Sequence, residues 1–539
     1  MVQAEVVDIH LADDGKWVIK AAHGDEYLVA ACVMATGTFL NAHIIVGLNK
    51  WGAGPDNLKP STQLAGALET LGIETTIFKT GTPARIHRRS VDFAKLAVQN
   101  GDDEIVPMSF ETEYNYKGKL QNKVVCHIAY TNERTHEIIR QNLDKSPLYN
   151  GMIEGVGPRY CPSIEDKIVR FADKPRHQLF IEPMGMNTDE MYIQGFSSSM
   201  PSDVQTQMIR SIEGLENAEV MRPGYAIEYV CVNPMQLKAT LEYKRHRGLF
   251  SCGQINGTSG YEEAAAQGII AGINAALYCG ALKGDAQNID GAVADEFILR
   301  RDEAYIGVLI DDLITKGTNE PYRMMTARAE FRLLLRQDNA DFRLTEKGYN
   351  LGLISSERKT KFDEKWAVVK RGVDKMKRTT IAPREINNYL DSVGEMRIEN
   401  GVRAAELLKR PKVSYHGISE ALRRRDDDAA DSASDVGNLE EYSNLKAAIE
   451  KEIEVLIKYE GYISKQISQV EQFKKLEAKK LPKRIDYSKL LGLRLEARQK
   501  LQKVAPETVG QAMRISGVSP ADIAVLLAAM KVCPKTASQ

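Results

Sequence analysis

The sequence predicts an α/β protein followed by a helical C-terminal half, and three observations support this prediction. Short strands alternate with turns over the first 40 residues, and a buried strand near residue 250 leads through a glycine-rich loop into a helix. Beyond about residue 290 glycines become rare and long amphipathic patterns take over. The chain has 539 residues, 43% of them hydrophobic, so it can bury several cores and we expect several domains.

The first 40 residues predict a β-meander that runs into a buried strand. The expected strands are residues 5–11, 17–22 and 27–35. The end of the third strand is apolar on both faces and precedes Thr36-Gly37-Thr38, which suits a parallel strand that brings a backbone turn to a ligand. A helix is expected over residues 60–72, because leucines recur there on one side.

The most specific local signal is a glycine-rich loop between a buried strand at 248–253 and a helix at 261–278. Gly253, Gly257 and Gly260 lack a Cβ, so backbone N–H groups and the helix N-terminus can approach an anionic or electron-rich ligand closely. We predict contact with a phosphate or a flavin at this loop. A tight turn with close helix packing is the alternative.

A second signal surrounds Cys161. Ser163 and Asp166 have the spacing of a capping box for a helix that begins just after this cysteine, and Arg159 lies two residues before it. A helix N-terminus and a nearby cation both favour the thiolate, so the surroundings predict a reactive cysteine. The alternative is that Cys161 is a small apolar residue that fills a core position.

Composition and missing motifs exclude several classes of protein. No run of about 18 apolar residues and no signal peptide is found, so we expect a soluble, cytoplasmic protein. The seven cysteines form no C-x-x-C pair, and we predict neither a metal site nor disulfides. The absence of G-x-x-x-x-G-K-[ST], H-E-x-x-H and G-x-S-x-G argues against nucleoside triphosphatases, zincins and serine hydrolases.

The net charge of −1 conceals two basic segments. Residues 322–378 contain 15 Lys/Arg and 8 Asp/Glu, a net charge of +7, and residues 464–503 contain 12 and 4, a net charge of +8. Such density on helices suits contact with nucleic-acid phosphates or another acidic partner, although a solvated helix surface is the alternative. Amphipathic helices are expected at 323–335 and 439–481, with a solvated linker at 423–437.

In the first basic segment, four arginines are predicted to contact RNA. They recur at spacings of four and five and are expected to share one broad helix face, opposite an apolar side that contains Leu333, Leu334 and Leu335. The predicted contacts with RNA are Arg323, Arg328, Arg332 and Arg336.

Long motifs make the chain similar to a known family of tRNA-modifying flavoenzymes, MnmG (GidA), over essentially its whole length. The motifs are residues 35–40 (ATGTFL), 79–86 (KTGTPARI), 157–167, 222–229 (RPGYAIEY), 253–268, 320–324 (EPYRM), 328–332, 338–341 and 514–520 (RISGVSP). The resemblance implies an α/β FAD/NAD-binding domain, Rossmann-like and of the glutathione-reductase type, with an inserted α+β domain and a helical C-terminal domain.

The resemblance also implies boundaries and an activity. The expected units are 1–82 with 225–290 for the rest of the FAD-binding domain, 83–224 for the inserted NAD-related domain, 291–425 for a basic helical region and 438–539 for a C-terminal domain that binds tRNA and a GTPase. The expected reaction adds a carboxymethylaminomethyl or aminomethyl group to carbon 5 of the tRNA wobble uridine. FAD, NADH and methylenetetrahydrofolate are the implied cofactors, glycine or ammonium supplies the nitrogen, and a homodimer is expected to join an MnmE-type GTPase in a heterotetramer.

The resemblance assigns roles to individual residues. Cys161 matches the family's functionally important cysteine, and our hypothesis is that its thiolate adds to carbon 6 of the uracil. The implied FAD contacts are Val6, Ser61, Gly253, Gln254, Gly257 and Gly260. The implied NAD segment contributes Gly157, Pro158, Arg159, Tyr160, Ser163, Asp166, Lys167 and Phe171.

One departure from the family pattern leaves alternatives open. Members of the family begin with a strand, a complete G-x-G-x-x-G loop and a helix, and residue 1 of this chain matches a position downstream of that unit, which would cradle the FAD pyrophosphate. One alternative is a non-catalytic remnant that binds tRNA and the GTPase but has lost FAD. The other is the related folate-dependent tRNA uridine methyltransferase, which the long helical half disfavours.

Overall fold

A computed structural model describes residues 1–103, 105–116, 120–160, 162–283, 288–289, 292–293, 296–427, 445–482 and 485–532. The strands are β1 (Val6–Leu11), β2 (Trp17–Ala21), β3 (Glu26–Val29), β4 (Cys32–Met34), β5 (His43–Val46), β6 (Asn49–Gly52), β7 (Thr75–Thr82), β8 (Arg85–His87), β9 (Ala97–Gln99), β10 (Cys126–Tyr130), β11 (Gln178–Pro183), β12 (Glu190–Gln194), β13 (Val220–Arg222), β14 (Tyr225–Val232), β15 (Leu249–Ser251), β16 (Asn288–Ile289), β17 (Ala292–Val293), β18 (Thr380–Ile381) and β19 (Val402–Arg403).

Most α-helices lie in the second half of the chain. They are α1 (Thr62–Thr70), α2 (Phe110–Tyr116), α3 (Glu133–Gln141), α4 (Ile164–Arg170), α5 (Ser202–Arg210), α6 (Tyr261–Lys283), α7 (Tyr305–Lys316), α8 (Ala340–Asn350), α9 (Ser356–Arg378), α10 (Pro383–Ser392), α11 (Ala404–Leu408), α12 (Tyr415–Asp427), α13 (Lys446–Lys458), α14 (Glu460–Glu477), α15 (Leu495–Val504), α16 (Val509–Arg514) and α17 (Pro520–Val532).

The N-terminal unit contains the predicted meander, with β1, β2 and β3 paired antiparallel. The predicted third strand, 27–35, is wrong as one element, because the chain changes partner after Val29. The N–H of Cys32 donates to the carbonyl of Gly248 (2.9 Å), and β4 pairs in parallel with β15. The predicted parallel strand and the predicted helix near residues 60–72 are both confirmed.

Two antiparallel sheets lie between these paired strands in the sequence. The order of the central sheet is β6-β5-β14-β7, and β14 is buried at every residue except its first. The order of the second sheet is β13-β8-β12-β11-β10-β9. Its apolar face packs with α3, α4 and α5 into a separate core formed by residues between 84 and 220. The polypeptide therefore leaves the central sheet after β7 and returns to it at β14.

The strand, glycine loop and helix predicted around residue 253 are confirmed as β15, a 3₁₀ turn at Gly253–Asn256 and α6. Over Tyr261–Ala281 this helix is long and apolar enough to cross a membrane, which is weak evidence by itself. Two of its buried side-chain amides form hydrogen bonds inside the protein. Asn274 exchanges hydrogen bonds with the backbone of Phe297, and Gln267 bonds to Asn256. Ile270 and Ala271 of the same helix are buried in the N-terminal core, so α6 packs against the protein along one side.

The described residues beyond 300 are mainly helical, as predicted, and the two largest hydrophobic clusters there are built from helices. One cluster is formed by the five helices from α9 through α13, and the other includes α15, α16 and α17. The helices expected within 439–481 are confirmed as α13 and α14, while residues 428–444 lie outside the described part of the chain. The linker predicted at 423–437 is wrong for its first residues, because α12 continues to Asp427.

The helix predicted over 323–335 is also wrong. This segment contains only a 3₁₀ turn at Thr326–Arg328 and further turns, since long-range hydrogen bonds hold its backbone. The N–H of Tyr322 donates to Gly257 O (2.8 Å), and the N–H of Met324 donates to Glu263 Oε1 (2.7 Å). Both partners lie about 60 residues away in the chain, so periodicity within the segment could not predict them.

Candidate cofactor and substrate sites

Two backbone turns meet where β4 and β15 end. The two strands are parallel with Ser251 opposite Met34, and the N–H of Cys252 donates to the carbonyl of Met34 (2.9 Å). Because parallel strands end at the same sheet edge, Thr36-Gly37-Thr38 and the loop that begins at Gly253 are neighbours there. This is the edge at which open α/β sheets bind ligands.

The glycine loop has a backbone that side chains would disturb. Gly253 and Gly257 have φ values of +81° and +79°, in the left-handed region that favours glycine. A Cβ on Gly257 would lie 2.6 Å from Thr318 Oγ1, and one on Gly260 would collide with the carboxylate of Glu263. The sequence prediction of close backbone approach therefore has a geometric basis at these positions.

A buried polar network that the sequence analysis missed fixes this loop to α6. Asn256 is fully buried, accepts from Ser251 Oγ (2.6 Å) and donates through Nδ2 to Ser251 O (2.8 Å) and to Gln267 Oε1 (2.9 Å). Gln267 Nε2 donates in turn to Thr258 Oγ1 (3.1 Å). Buried amides are costly unless they are hydrogen-bonded, so the network specifies one loop conformation. The 11-residue spacing of two amides gave no recognisable sequence signal.

A cavity of about 800 Å³ opens beside the meander. Its wall contains Val6 and Ser61, the two predicted FAD contacts near the N-terminus, and the hydroxyl of Ser61 donates to Val6 O (3.4 Å). Met34 and Thr36 also line it, and Thr36 Oγ1 is buried without a hydrogen-bond partner among the described residues. Gly253, Gln254, Gly257 and Gly260 lie outside this wall, just past the end of the adjacent strand.

The volume and the donors of this cavity fit a flavin nucleotide. Cofactor sites are clefts of roughly 300–1,000 Å³ with mostly apolar walls and a few placed polar groups. The apolar wall here includes Ile9, Ile19 and Leu64, while Ser61 and the orphaned hydroxyl of Thr36 supply polar groups. The glycine turn, with positive φ at Gly253 and Gly257, follows the strand β15 that pairs with β4 beside this cavity.

A second cavity, of about 330 Å³, brings together part of the predicted NAD segment. The predicted residues in its wall are Gly157, Pro158, Arg159, Ser163 and Asp166. Three others are not in the wall. Tyr160 and Phe171 are about half exposed, and Lys167 Nζ donates to the carbonyl of Gly195 (3.0 Å).

Cys161 itself lies outside the described residues, but the groups on either side of it are placed. The helix predicted after it begins at Ile164, and Ser163 Oγ accepts the N–H of Asp166 (3.4 Å) as predicted. The carboxylate of Asp166 contacts Arg170 (2.8 Å). Arg159 contacts Glu320 (3.4 Å), which offsets part of the positive charge expected to favour a Cys161 thiolate.

A buried carboxylate that the sequence analysis did not single out holds the loop before this cavity. Glu228 Oε1 accepts the N–H groups of Glu154 and Gly155 (2.6 Å each), and Glu228 Oε2 pairs with Lys50 Nζ (2.7 Å). Burial opposes ionisation of Glu228, but Lys50 and the two N–H groups outweigh it and lower the pKa of the carboxyl. A glutamate in the otherwise apolar β14 is the one sequence signal that could have found it.

The four arginines predicted to contact RNA do not share a face. Arg323 Nε contacts Glu263 at the glycine loop (3.2 Å), and Arg328 lies over the ring of Tyr322 (4.2 Å). Arg336 is largely buried and pairs with Asp338 (2.9 Å) and Glu452. Arg332 is exposed. The prediction of one shared arginine face is therefore wrong, because the segment is not helical.

Comparison with known proteins places these features in a family. The family model described as glucose inhibited division protein A matches residues 1–283. Two further models, described as the C-terminal helical domain and the C-terminal helical bundle of the tRNA modifying enzyme MnmG/GidA, match residues 356–467 and 469–539.

Individual relatives agree with these models. A tRNA uridine 5-carboxymethylaminomethyl modification enzyme MnmG from Caldicellulosiruptor saccharolyticus is 56% identical over 97% of this chain and 79% of its own length. One of the same name from Clostridium botulinum is 50% identical over 98% of this chain and 80% of its own. GidA from Aquifex aeolicus, in its form II crystal, has a TM-score of 0.81 at 41% identity and covers 98% of this chain and 79% of that one. The predicted fold class is confirmed, and this chain belongs to the MnmG/GidA family.

Proposed function

We propose that this chain is a flavin-dependent enzyme that modifies the tRNA wobble uridine, adding a carboxymethylaminomethyl or aminomethyl group at carbon 5 together with a partner GTPase. The observation that carries the proposal is the 56% identity to a tRNA uridine 5-carboxymethylaminomethyl modification enzyme over 97% of the chain. The cavity that fits a flavin and the glycine turn beside it support the proposal independently. The expected location is the cytoplasm, and the expected assembly is a homodimer.

The cofactors are proposed for the two cavities. Val6, Thr36 and Ser61, with the loop that contains Gly253 and Gly257, would hold FAD, which supplies hydride transfer and handling of the one-carbon unit when it is bound. The smaller cavity, with Arg159 in its wall, is the proposed site for NADH, because a guanidinium pairs well with a phosphate. Methylenetetrahydrofolate is the proposed carbon donor, and glycine or ammonium the nitrogen donor.

The proposed role of Cys161 is nucleophilic. Its thiolate Sγ forms a bond to carbon 6 of the uracil, and the electron pair of the 5,6 double bond makes carbon 5 nucleophilic. After carbon 5 has gained its substituent, it loses its proton, the double bond re-forms and the Sγ–carbon 6 bond breaks. Ser163 caps the helix that follows the cysteine, so it fixes the helix N-terminus that favours a thiolate.

For tRNA we propose Arg332 and the basic C-terminal segment 464–503 as contacts. Arg332 is exposed, so its guanidinium can reach phosphates without losing a protein partner that the structure places. Arg323 and Arg336 contact internal carboxylates, and we propose structural roles for both. Arg328 is stacked on Tyr322, and its Nε donates to the carbonyl of Arg323 (2.9 Å), so we propose a structural role for it as well.

Mass spectrometry of nucleosides tests the proposal. Undermodified tRNA is incubated with the chain, its cognate GTPase, GTP, FAD, NADH, methylenetetrahydrofolate and glycine, and the modified wobble uridine is expected to form. Cys161→Ser is expected to abolish the product, while the matched control Cys279→Ser, on the side of α6, retains it. A Cys161→Ser variant that forms the normal amount of product would refute the role of Cys161 as the nucleophile. A chain that binds tRNA but neither binds flavin nor forms product would support the non-catalytic alternative.

A further inference from the structure

A continuous chain of side chains connects the C-terminal helical bundle to the glycine loop. It begins at Arg514, the last residue of α16, and passes through Asp311 and Asp312 in α7 with Arg301 beside them. It ends at Tyr322, whose backbone is bonded to the loop. The proposed function uses none of these contacts.

The first contact joins two parts of the chain 203 residues apart. Arg514 Nε and Nη2 donate to the two carboxylate oxygens of Asp311 (2.6 and 2.7 Å), and its Nη1 donates to Glu477 at the end of α14. Only 11% of the Arg514 side chain is exposed. Such a planar bidentate pair defines direction as well as distance, and a lysine cannot reproduce it.

Arg301 links the two neighbouring aspartates of α7, Asp311 and Asp312. Its side chain is 2% exposed, and Nη1 donates to Asp311 Oδ2 (3.1 Å) and to Asp312 Oδ1 (2.8 Å). The hydroxyl of Tyr322 donates to the other oxygen of Asp312 (2.9 Å). Lys316 Nζ also donates to Asp312 Oδ1 (2.6 Å). The carboxylate of Asp311 is thus shared between Arg514 and Arg301, and that of Asp312 between Arg301, Lys316 and Tyr322, so a shift of one partner changes the geometry of the contacts made by the others.

Tyr322 and its neighbours then hold the loop directly. The N–H of Tyr322 donates to Gly257 O (2.8 Å), and the N–H of Ser259 donates to Tyr322 O (3.1 Å). One residue further on, Arg323 and the N–H of Met324 both contact Glu263 in the first turn of α6. Four hydrogen bonds thus join this short segment to the loop and helix proposed to contact the flavin.

We infer that Arg514 is a positioning residue through which the C-terminal bundle sets the geometry of the loop at Gly253–Asn256 and Gly257. That the loop binds flavin rests on the proposed function, whereas the contacts that connect Arg514 to the loop are independent of it. The consequence is that a macromolecule bound to the bundle can alter the cofactor loop by moving Arg514.

Amide hydrogen exchange of the full, flavin-free chain tests the inference. Arg514→Lys keeps the charge but removes the bidentate contact, and it is expected to speed exchange in peptides covering 253–264 and 318–326 by roughly fivefold or more, the lower end of coupling between distant sites. The matched control is Arg494→Lys, which removes the hydrogen bonds of Arg494 Nε and Nη2 to Asp522 Oδ2 (3.0 and 2.7 Å) inside the same bundle. Unchanged exchange in the Arg514 variant, or an equal increase in the control, would overturn the inference.

A second variant identifies the route. Tyr322→Phe removes the hydroxyl contact with Asp312 and keeps the backbone bonds to Gly257 and Ser259, so it should by itself speed exchange in the same peptides. Combining it with Arg514→Lys should then add little, because both changes break one chain of contacts. Fully additive effects would overturn the inference. FAD titration of each variant is measured separately, so loss of flavin binding cannot be mistaken for loss of the connection.

Discussion

Replacing Glu228 by alanine is expected to release the loop that leads to Cys161. The change removes the acceptor of two N–H groups, those of Glu154 and Gly155, and leaves Lys50 without its partner. Breaking a buried pair by removing one partner costs about 3–5 kcal/mol. Lys50 is one-third exposed and regains some water, so we expect about 3 kcal/mol, at the low end of that range.

Hydrogen exchange of the peptide spanning 152–160 measures this loss. A cost of about 3 kcal/mol corresponds to roughly 100-fold faster exchange, since each factor of ten is worth about 1.4 kcal/mol. Glu228→Gln keeps an oxygen acceptor and loses the charge, so a smaller effect of about 1–2 kcal/mol is expected. The control, Glu219→Ala, removes an exposed pair with Arg89 and should leave the peptide unchanged. Unchanged protection in Glu228→Ala would refute the anchoring role.

The same carboxylate predicts a pH dependence. Its pKa is lower in the folded chain than in the unfolded chain, so its stabilisation is complete above the unfolded value of about 4.3 and is lost as the pH falls through the folded value. Protection of the 152–160 loop, corrected for intrinsic exchange, should therefore decrease in acid in the wild-type chain and change less in Glu228→Gln. Identical acid profiles in the two proteins would contradict the assignment.

Two further predictions concern the glycine loop and RNA contact. Gly257→Ala places a methyl group against Thr318 at a positive φ, and it should destabilise the chain and weaken FAD binding. The control Gly268→Ala adds a methyl group in open space within α6 and should stabilise the chain by roughly 0.5–1 kcal/mol. Equal melting temperatures for the two variants would contradict this prediction. Arg332→Ala should weaken tRNA binding and flatten the salt dependence of that binding, without lowering the stability of the chain. Arg336→Ala, by contrast, should lower the stability, because it removes the buried contact with Glu452. An unchanged salt slope for Arg332→Ala would mean that Arg332 makes no phosphate contact and belongs to a solvated surface.

Local patterns were enough to predict the elements that local interactions build. The alternation of residues 5–22 predicted the meander, and the apolar run before Gly253 predicted a buried strand that leads into α6. The spacing of Ser163 and Asp166 predicted a helix that begins just after Cys161, and α4 begins at Ile164 with Ser163 as its N-cap, because an N-cap bond spans only three residues.

The features that failed depend on partners far away in the sequence. Residues 323–335 have a helical period, but the N–H of Tyr322 donates to Gly257 in the glycine loop and the N–H of Met324 donates to Glu263 in α6, which keeps the start of this segment out of a helix. Glu228 looks like an isolated polar residue in a strand until the loop 154–155 and Lys50 are placed around it. The chain's change of sheet between β3 and β4 likewise depends on β15, more than 200 residues later.

Flavin binding by the purified chain tests the central claim most directly. The protein is equilibrated with excess FAD, free flavin is removed by gel filtration, and the visible absorbance of the protein peak is recorded. We predict that the bands of oxidised flavin co-elute with the chain and are reduced by NADH. A colourless protein peak at saturating FAD would contradict the proposal that the cavity at Val6, Thr36 and Ser61 and the neighbouring glycine loop form a flavin site.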